Sequence, residues 1–262
     1  MKEKVILFLG GVAFGTAAIF VKLTSLSPPY ITFFRFILAG LILLPIRKKV
    51  KNNTNTSIKL LIIPSLFLAL HMLFFVSSVF LTTIAASTIL VSTSPIFAML
   101  LRKRFDVFII TAIIGIIIMN YTTSFGSLLG NMLALLSAIC FALYTYFLSK
   151  VEYSFLSTAP FIYILSSSFM IPIIPFFSIG EVNLVSILAI LGLVLIPTLI
   201  GHGSVIYTAN KLPISLVTSA ELIEPVVATI LAYLIFNQVP SFQQIIGGAL
   251  TLVSIYFAFT KA

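Results

Sequence analysis

The chain has 262 residues, and its composition excludes an ordinary soluble domain. Hydrophobic residues make up 60% of it and charged residues only 8%, with a mean hydropathy of +1.23, whereas a soluble domain carries about 25% charged residues. The formal net charge is +9 at pH 7. The basic residues lie between apolar segments, so the expected partner is a lipid bilayer and not nucleic acid.

Taken in chain order, the sequence contains ten apolar segments, most of them close to the length of about 20 residues that a transmembrane helix needs. We therefore predict an all-α polytopic membrane protein with ten transmembrane helices. The first segment imitates a signal peptide, but we expect it to be retained because Phe14–Phe20 recurs in altered form as Phe141–Phe147. The predicted segments are residues 5–23, 29–46, 59–80, 84–101, 107–121, 128–148, 158–178, 184–209, 214–236 and 242–259.

The distribution of charge predicts the orientation of the chain in the membrane. If the N-terminus is inside and the segments alternate, every basic residue except Lys22 and Arg35 falls in an inner piece. The outer loops hold no lysine or arginine, which is the asymmetry of the positive-inside rule. This pattern predicts an even number of spans in the plasma membrane, with both termini cytoplasmic.

The two halves of the chain share a pattern. His71 precedes Pro95 by almost the same number of residues as His202 precedes Pro225, and a glycine follows each proline in the next segment. We therefore predict two five-span repeats, residues 1–124 and 125–262. An odd number of spans in each half makes the second repeat inverted, as in many secondary transporters, which bind substrate near the midplane between the halves.

The ninth segment, Ile214–Phe236, is almost wholly apolar, yet it contains Glu221, Glu224 and Pro225. A charge inside a membrane is costly, so such residues are candidates for function. Proline leaves a helical carbonyl without its donor, and we predict hinges at Pro225 and at Pro95, which has the matching position in the fourth segment.

Arg35 and Glu224 are predicted to reach similar depths near the membrane centre, from opposite sides. Arg35 could bind an anionic group of the substrate, or it could pair with Glu224 or Glu221 until substrate or a proton displaces it. The alternatives are a permanent structural ion pair and an arginine that extends outward to the membrane surface. The two carboxyls lie three residues apart on one helix face and are candidate proton-binding groups.

Two histidines and three aromatic residues complete the candidate set. His71 and His202 occupy matching positions in the repeats and could transfer protons, or each could be a neutral histidine bonded to a neighbouring helix. Phe14, Tyr144 and Tyr207 are predicted members of a central cavity because each lies near a repeated motif.

Three phrases of the sequence resemble the EamA-type drug/metabolite transporters: Ile31–Leu43, Ala220–Phe236 and Gln243–Phe257. This resemblance implies a ten-span fold of inverted repeats that exports or exchanges small metabolites. The chain departs from many such relatives at Ala13 and Phe14, where they have a tryptophan before Gly15. It also has Gln238 where many have a glutamate, which leaves transport without proton coupling as an open alternative.

The sequence contains no ATP-binding loop, nucleophile elbow or His-Glu metal motif, so we expect neither an enzyme nor a metal or cofactor. The single cysteine, Cys140, excludes an internal disulfide. We predict a secondary transporter of small metabolites such as amino acids or drugs, and more specifically an exporter. It is expected to work by alternating access and to be coupled to protons. A uniporter or exchanger without coupling and a non-transporting membrane scaffold are the alternatives.

Overall fold

The structure is a computed structural model that describes residues 1–47, 56–121, 126–236 and 239–261. Within these ranges the regular structure is helical, apart from an isolated bridge between Leu26 and Gly180. The predicted boundary between the halves, at residues 124 and 125, lies outside the described residues, as does Gln238.

The described residues form fourteen α-helices, numbered in chain order, and three irregular helical turns lie between them. The first seven are α1 (Lys2–Phe14), α2 (Ala17–Leu23), α3 (Pro28–Arg47), α4 (Ile58–Leu81), α5 (Ile84–Val91), α6 (Ser94–Arg102) and α7 (Val107–Met119). The others are α8 (Leu128–Leu148), α9 (Phe155–Ser168), α10 (Leu184–Leu193), α11 (Gly203–Thr208), α12 (Ile214–Thr218), α13 (Glu224–Phe236) and α14 (Phe242–Lys261). The turns are the 3₁₀ turns Ile174–Phe176 and Ser219–Ile223 and the π-helical stretch Val194–His202.

In the described part of the chain, these elements combine into eight helical stretches that are long and apolar enough to cross a membrane. Two further apolar helices, α7 and α9, have 13 and 14 residues. At 1.5 Å per residue each is about 20 Å long, which is shorter than the roughly 30 Å of a hydrocarbon core. The all-helical membrane fold is therefore confirmed, whereas the count of ten spans stays a prediction that depends on α7 and α9.

Besides the break between α1 and α2, two of the membrane-length stretches are interrupted near their middle, each just before a proline. The break between α5 and α6 falls at Ser92 and Thr93, and the turn Ser219–Ile223 separates α12 from α13. Pro95 and Pro225 each occupy the second position of the half-helix that follows. Proline is tolerated there because the first N–H groups of a helix have no intrahelical partner. Each proline therefore begins a half-helix and does not bend a continuous one.

The π-helical stretch between α10 and α11 contains Pro197, which has no N–H to donate. The hydroxyl of Thr198 donates to the carbonyl of Leu193 at 2.7 Å and supplies one of the missing hydrogen bonds. Wide turns of this kind are frequent at functional sites. Here the stretch carries the buried side chains of Thr198 and His202.

Both chain termini lie at one end of the bundle, which we call the terminal end. Met1 and Thr260 line the same groove, and Lys261 Nζ lies 5.4 Å from the centre of the Phe108 ring. Arg102, which lies shortly before Phe108 in the chain, donates a hydrogen bond to Ser149 Oγ at 3.1 Å. The ends of α6 and α8 therefore belong to this same end.

The opposite, far end is held by different contacts. Ser27 Oγ donates to the carbonyl of Ser178 at 2.7 Å, and Thr82 Oγ1 contacts Asn131 Oδ1 at 2.8 Å. Among the described basic residues, only Lys22 lies near this end, with its Nζ 5.7 Å from the ring centre of Phe80.

The helices pack most extensively in three pairs: α4 with α8, α7 with α14, and α3 with α9. The α7–α14 contact depends on two glycines, because a Cβ at Gly115 would lie 2.8 Å from the carbonyl oxygen of Gly247. Small residues of this kind let helix backbones approach closely inside a membrane. The centre of the bundle, where α1, α3 and α4 meet the interrupted stretches, holds the buried ionisable residues.

Candidate substrate-binding site

The ionisable residues predicted from the sequence meet in one cavity, which we call the central cavity. Arg35, His71, His202, Glu221 and Glu224 all line it. They come from α3, α4, the π-helical stretch, the Ser219–Ile223 turn and α13, and each is buried. The other lining residues are Phe14, Ala17, Met72, Phe75 and Val91.

The central cavity is almost closed in this conformation. Its volume available to water is about 10 Å³, which is about the space of one water molecule. Side chains must therefore move before a molecule the size of an amino acid can occupy it.

The guanidinium of Arg35 is fully buried and only partly satisfied. Its Nε donates to Thr198 Oγ1, its Nη1 contacts Met72 Sδ at 2.8 Å, and its Nη2 has no hydrogen-bond partner. One alternative from the sequence was an arginine that extends outward to the membrane surface. The burial of Arg35 contradicts that alternative. A buried donor without a partner is costly and marks a place where a ligand acceptor would be stabilised.

Glu224 carries the matching unpartnered acceptor. It is the first residue of α13, its side chain is buried, and its Oε1 has no hydrogen-bond partner. It lines the same cavity as Arg35. They do not form a contact ion pair, since the salt bridges found in the described ranges join Met1 with Glu3 and His71 with Glu221.

Glu221 differs from Glu224 because its contacts tie it to both interrupted stretches. Ser94 Oγ at the start of α6 donates to Glu221 Oε2, and Ser92 Oγ donates to the carbonyl of Glu221 at 2.9 Å. Its other carboxylate oxygen lies 3.8 Å from His71 Nε2. Glu221 therefore connects the break between α5 and α6 with the turn before α13.

His71 is oriented by Ser137 on α8. The Nδ1 atom of His71 lies 3.1 Å from the carbonyl of Ser137, so Nδ1 carries the hydrogen and donates it. Ser137 Oγ in turn donates to the carbonyl of His71 at 2.9 Å. This leaves Nε2, which faces Glu221, as the ring atom that can gain or lose a proton.

Aromatic rings form the rest of the wall. The ring centre of His202 lies 4.9 Å from that of Phe14 and 5.5 Å from that of His71. Phe141 packs on His71 at 4.8 Å between ring centres. The Nδ1 atom of His202 is buried without a hydrogen-bond partner, so this ring too has unused capacity for a polar ligand.

Two of the predicted aromatic members lie outside the cavity lining. Tyr207 packs against Phe155, and Lys211 Nζ lies 3.3 Å from its ring centre, at the terminal end of α11. Tyr144 is fully buried on α8 and contacts Phe141 at 5.9 Å, one layer behind the wall. Their closeness to repeated motifs in the sequence reflects helix packing and not contact with the central cavity.

Sequence reasoning missed three groups that hold the site together: Met72, Thr198 and Ser137. Thr198 follows Pro197 inside an apolar segment, and a hydroxyl beside a helix-breaking proline is a signal that could have been used. Met72 and Ser137 have no such signal, because their roles depend on which helices face each other.

A second cavity, the vestibule, adjoins the central cavity on the side of the far end. Its volume is about 390 Å³. It begins beside Glu224 at Pro225 and continues along α13 to Thr229, and its other walls come from α2, α5 and the ends of α7 and α14. Its lining residues are Ile19, Ile84, Ala85, Thr88, Asn120, Pro225, Ala228, Thr229, Val239 and Gln244.

A helical membrane bundle that buries opposite charges around a central cavity, with a vestibule leading toward one end, is the architecture of a membrane carrier. The sequence model of the EamA-like transporter family matches residues 1–125 and again residues 128–260. The chain therefore belongs to the EamA-like transporter family, which confirms the resemblance found in the sequence. Members of this family are membrane transporters of small molecules and are generally not enzymes.

Comparison with solved structures gives the same fold. A crystal structure, described only as that of a protein, matches 100% of this chain and 97% of its own with a TM-score of 0.80. The two sequences are 16% identical, so the likeness concerns the fold alone. No curated protein sequence matches the chain.

Proposed function

We propose that this protein is a secondary transporter for small zwitterionic molecules, with amino acids as the substrate class, and that it works by alternating access. The observation that carries the proposal is the pair of unsatisfied charged groups in one buried cavity, Arg35 Nη2 and Glu224 Oε1. A ligand with a carboxylate and an ammonium would satisfy both.

The chemistry of the pair favours this class over anions or cations alone. An arginine beside a glutamate is close to neutral as a unit, so a ligand with a single charge would leave one of the two without a new partner. Buried charges without partners are strongly destabilising. A zwitterion brings both partners at once, and the aromatic wall of Phe14, Phe75 and His202 offers apolar surface to its side chain.

The packing at the two ends supports alternating access. At the terminal end α6 packs against both α8 and α12, whereas α13 at the far end borders the vestibule. We propose that the far end is the more open one in this conformation. Rotation of the half-helices α6 and α13, which carry Pro95 and Pro225 at their second positions, would reverse this arrangement.

Proton coupling is proposed to run through His71 and Glu221. The Nε2 atom of His71 and a carboxylate oxygen of Glu221 lie 3.8 Å apart, close enough for a modest movement to allow direct proton transfer. Glu221 also contacts both interrupted stretches, so a change in its charge would act on the elements proposed to move. Uniport or exchange without protons remains the competing proposal, since Gln238 stands where many relatives have an acid.

The clustering of basic residues at the terminal end supports a cytoplasmic location for both termini in a plasma membrane. The vestibule would then face the exterior. Export would begin from the opposite conformation, in which the central cavity opens to the cytoplasm.

The test is flux in proteoliposomes that contain the purified protein, with the common amino acids as a panel, each with and without a pH gradient. The proposal expects saturable flux of at least one amino acid and its loss in Arg35→Ala protein that remains folded. Flux that depends on the gradient supports coupling. Absence of flux for the whole panel, or full flux in Arg35→Ala, would overturn the proposed substrate class.

A further inference from the structure

At the terminal end, two cationic side chains converge on one tyrosine. Lys150, which follows α8, places its Nζ 4.0 Å from the centre of the Tyr146 ring. Arg102, the last residue of α6, places its Cζ 5.5 Å from the same centre. Arg102 Nη2 also donates to Ser149 Oγ at 3.1 Å, which fixes the guanidinium over the end of α8.

Neither cation has an acidic partner among the described residues. The nearest acids in the sequence are Asp106, whose Oδ1 already accepts from the backbone N–H groups of Phe108 and Ile109, and Glu152, which forms no salt bridge among the described residues. Two positive charges held around one ring repel each other, and an anion between them removes that repulsion. The cluster is therefore a site of positive charge that an anion would stabilise.

An apolar groove lies next to these cations between the same two helices, and two of its lining side chains, Leu100 and Leu101, are exposed. It has a volume of about 260 Å³ and is lined almost entirely by apolar atoms. Leu101 precedes Arg102 directly, and Leu143 lies one turn before Tyr146. The groove is lined by Phe97, Leu100, Leu101, Ile139 and Leu143.

The combination indicates the occupant. A soluble anion would satisfy the cations but leave the groove to bulk hydrocarbon, and a neutral lipid would fill the groove but leave the cations without a partner. We propose that Arg102, Lys150 and the groove between α6 and α8 form a binding site for an anionic glycerophospholipid. Its phosphate lies between the two cations and one acyl chain lies in the groove.

Occupancy of this site would affect the transport cycle, an effect that rests on the function proposed above. The site spans the contact between α6 and α8 at the terminal end, the end proposed above to be the less open one in this conformation. A phosphate bound to Arg102 on one helix and Lys150 on the other would hold the two helices together. The lipid would then favour the conformation in which the terminal end is closed.

The test measures lipid retention by native mass spectrometry of the full-length protein, titrated with phosphatidylglycerol or phosphatidylcholine of identical acyl chains. We expect tighter binding of phosphatidylglycerol. Loss of each basic residue should weaken binding about fivefold, so Arg102→Gln/Lys150→Gln should weaken it about 25-fold. The matched control is Lys2→Gln/Lys59→Gln, which removes two exposed basic residues elsewhere at the terminal end and should leave the affinity within about twofold.

Three results would overturn the proposal: equal affinity for the two lipids in the wild type, an equal loss in the control variant, or competition by inorganic phosphate at millimolar concentration. The first and third need no variant, so the test stands even if the double variant fails to fold. The measurement involves no transported substrate. It can therefore fail while the proposed function stands, and succeed if the proposed function is wrong.

Discussion

Arg35→Lys is the most informative single change because it keeps the buried positive charge and removes only the guanidinium fork. In the wild type, Nε and Nη1 hold the side chain against Thr198 and Met72, and Nη2 remains for a ligand carboxylate. A lysine has one nitrogen, which cannot take the places of all three. We therefore expect the variant to lose the contact with substrate while the helix packing stays intact.

The expected magnitude follows from the contacts. Thr198 Oγ1 keeps its hydrogen bond to Leu193, and Met72 Sδ is a weak acceptor, so the free energy of unfolding should fall by no more than the hydrogen bond from Nε contributes, about 1.5–3 kcal/mol. A hydrogen bond to a charged group contributes about 1.5–3 kcal/mol. At about 1.4 kcal/mol for each factor of ten, substrate affinity should fall by about 10- to 150-fold.

The assay is equilibrium binding of the transported amino acid to detergent-solubilised protein, with thermal unfolding measured on the same sample. The matched control is Lys22→Arg, the reverse exchange at a site away from the central cavity, which should change neither quantity. An Arg35→Lys protein that binds with wild-type affinity, or one whose melting temperature collapses together with binding, would refute the reasoning.

Three other changes test separate parts of the account. Glu224→Gln should weaken binding of an amino acid at least about tenfold but hardly affect binding of an analogue without the ammonium. The control is Glu181→Gln, which changes an exposed residue. Equal effects of Glu224→Gln on both ligands would contradict the role of Glu224. Ser94→Ala removes the donor to Glu221 and should lower the free energy of unfolding by about 1–3 kcal/mol in a thermal melt, so an unchanged melt would mean that the contact contributes nothing. Gly247→Ala should separate α7 from α14 and destabilise the protein, because the new Cβ would lie 2.7 Å from Met119 Cα. Gly248→Ala should be tolerated, because the atom nearest to its new Cβ would be 3.6 Å away. Similar melting temperatures of the two variants would argue against close packing at Gly247.

Much of the fold could be predicted from the sequence because the membrane restricts the possibilities. Long apolar segments must be helices, since unpaired backbone groups are too costly in hydrocarbon. The same rule does not fix where a short apolar segment ends, and so α7 and α9 are shorter than the predicted spans 107–121 and 158–178. The sequence also could not predict the π-helical winding at Pro197, which depends on how Thr198 completes the local hydrogen bonds.

The cluster of ionisable residues was predictable for the same reason, since Arg35, Glu221 and Glu224 are conspicuous in apolar segments. What the sequence could not predict was their partners. Arg35 contacts Thr198 and not a glutamate, because the π-helical stretch brings that hydroxyl next to α3. Tyr207 is not among the residues that line the central cavity, because distance along the chain from His202 does not determine the direction in which a side chain points.

The most direct test of the central claim is binding of three matched ligands to the wild-type protein: phenylalanine, 2-phenylethylamine and 3-phenylpropanoate. They share one ring and differ in which of the two charged groups they carry. If Arg35 and Glu224 take the two ends of a zwitterion, phenylalanine should bind at least about tenfold more tightly than either analogue. Equal affinity for the amine or the carboxylate alone would contradict the claim, and so would equal loss of all three ligands in Glu224→Gln.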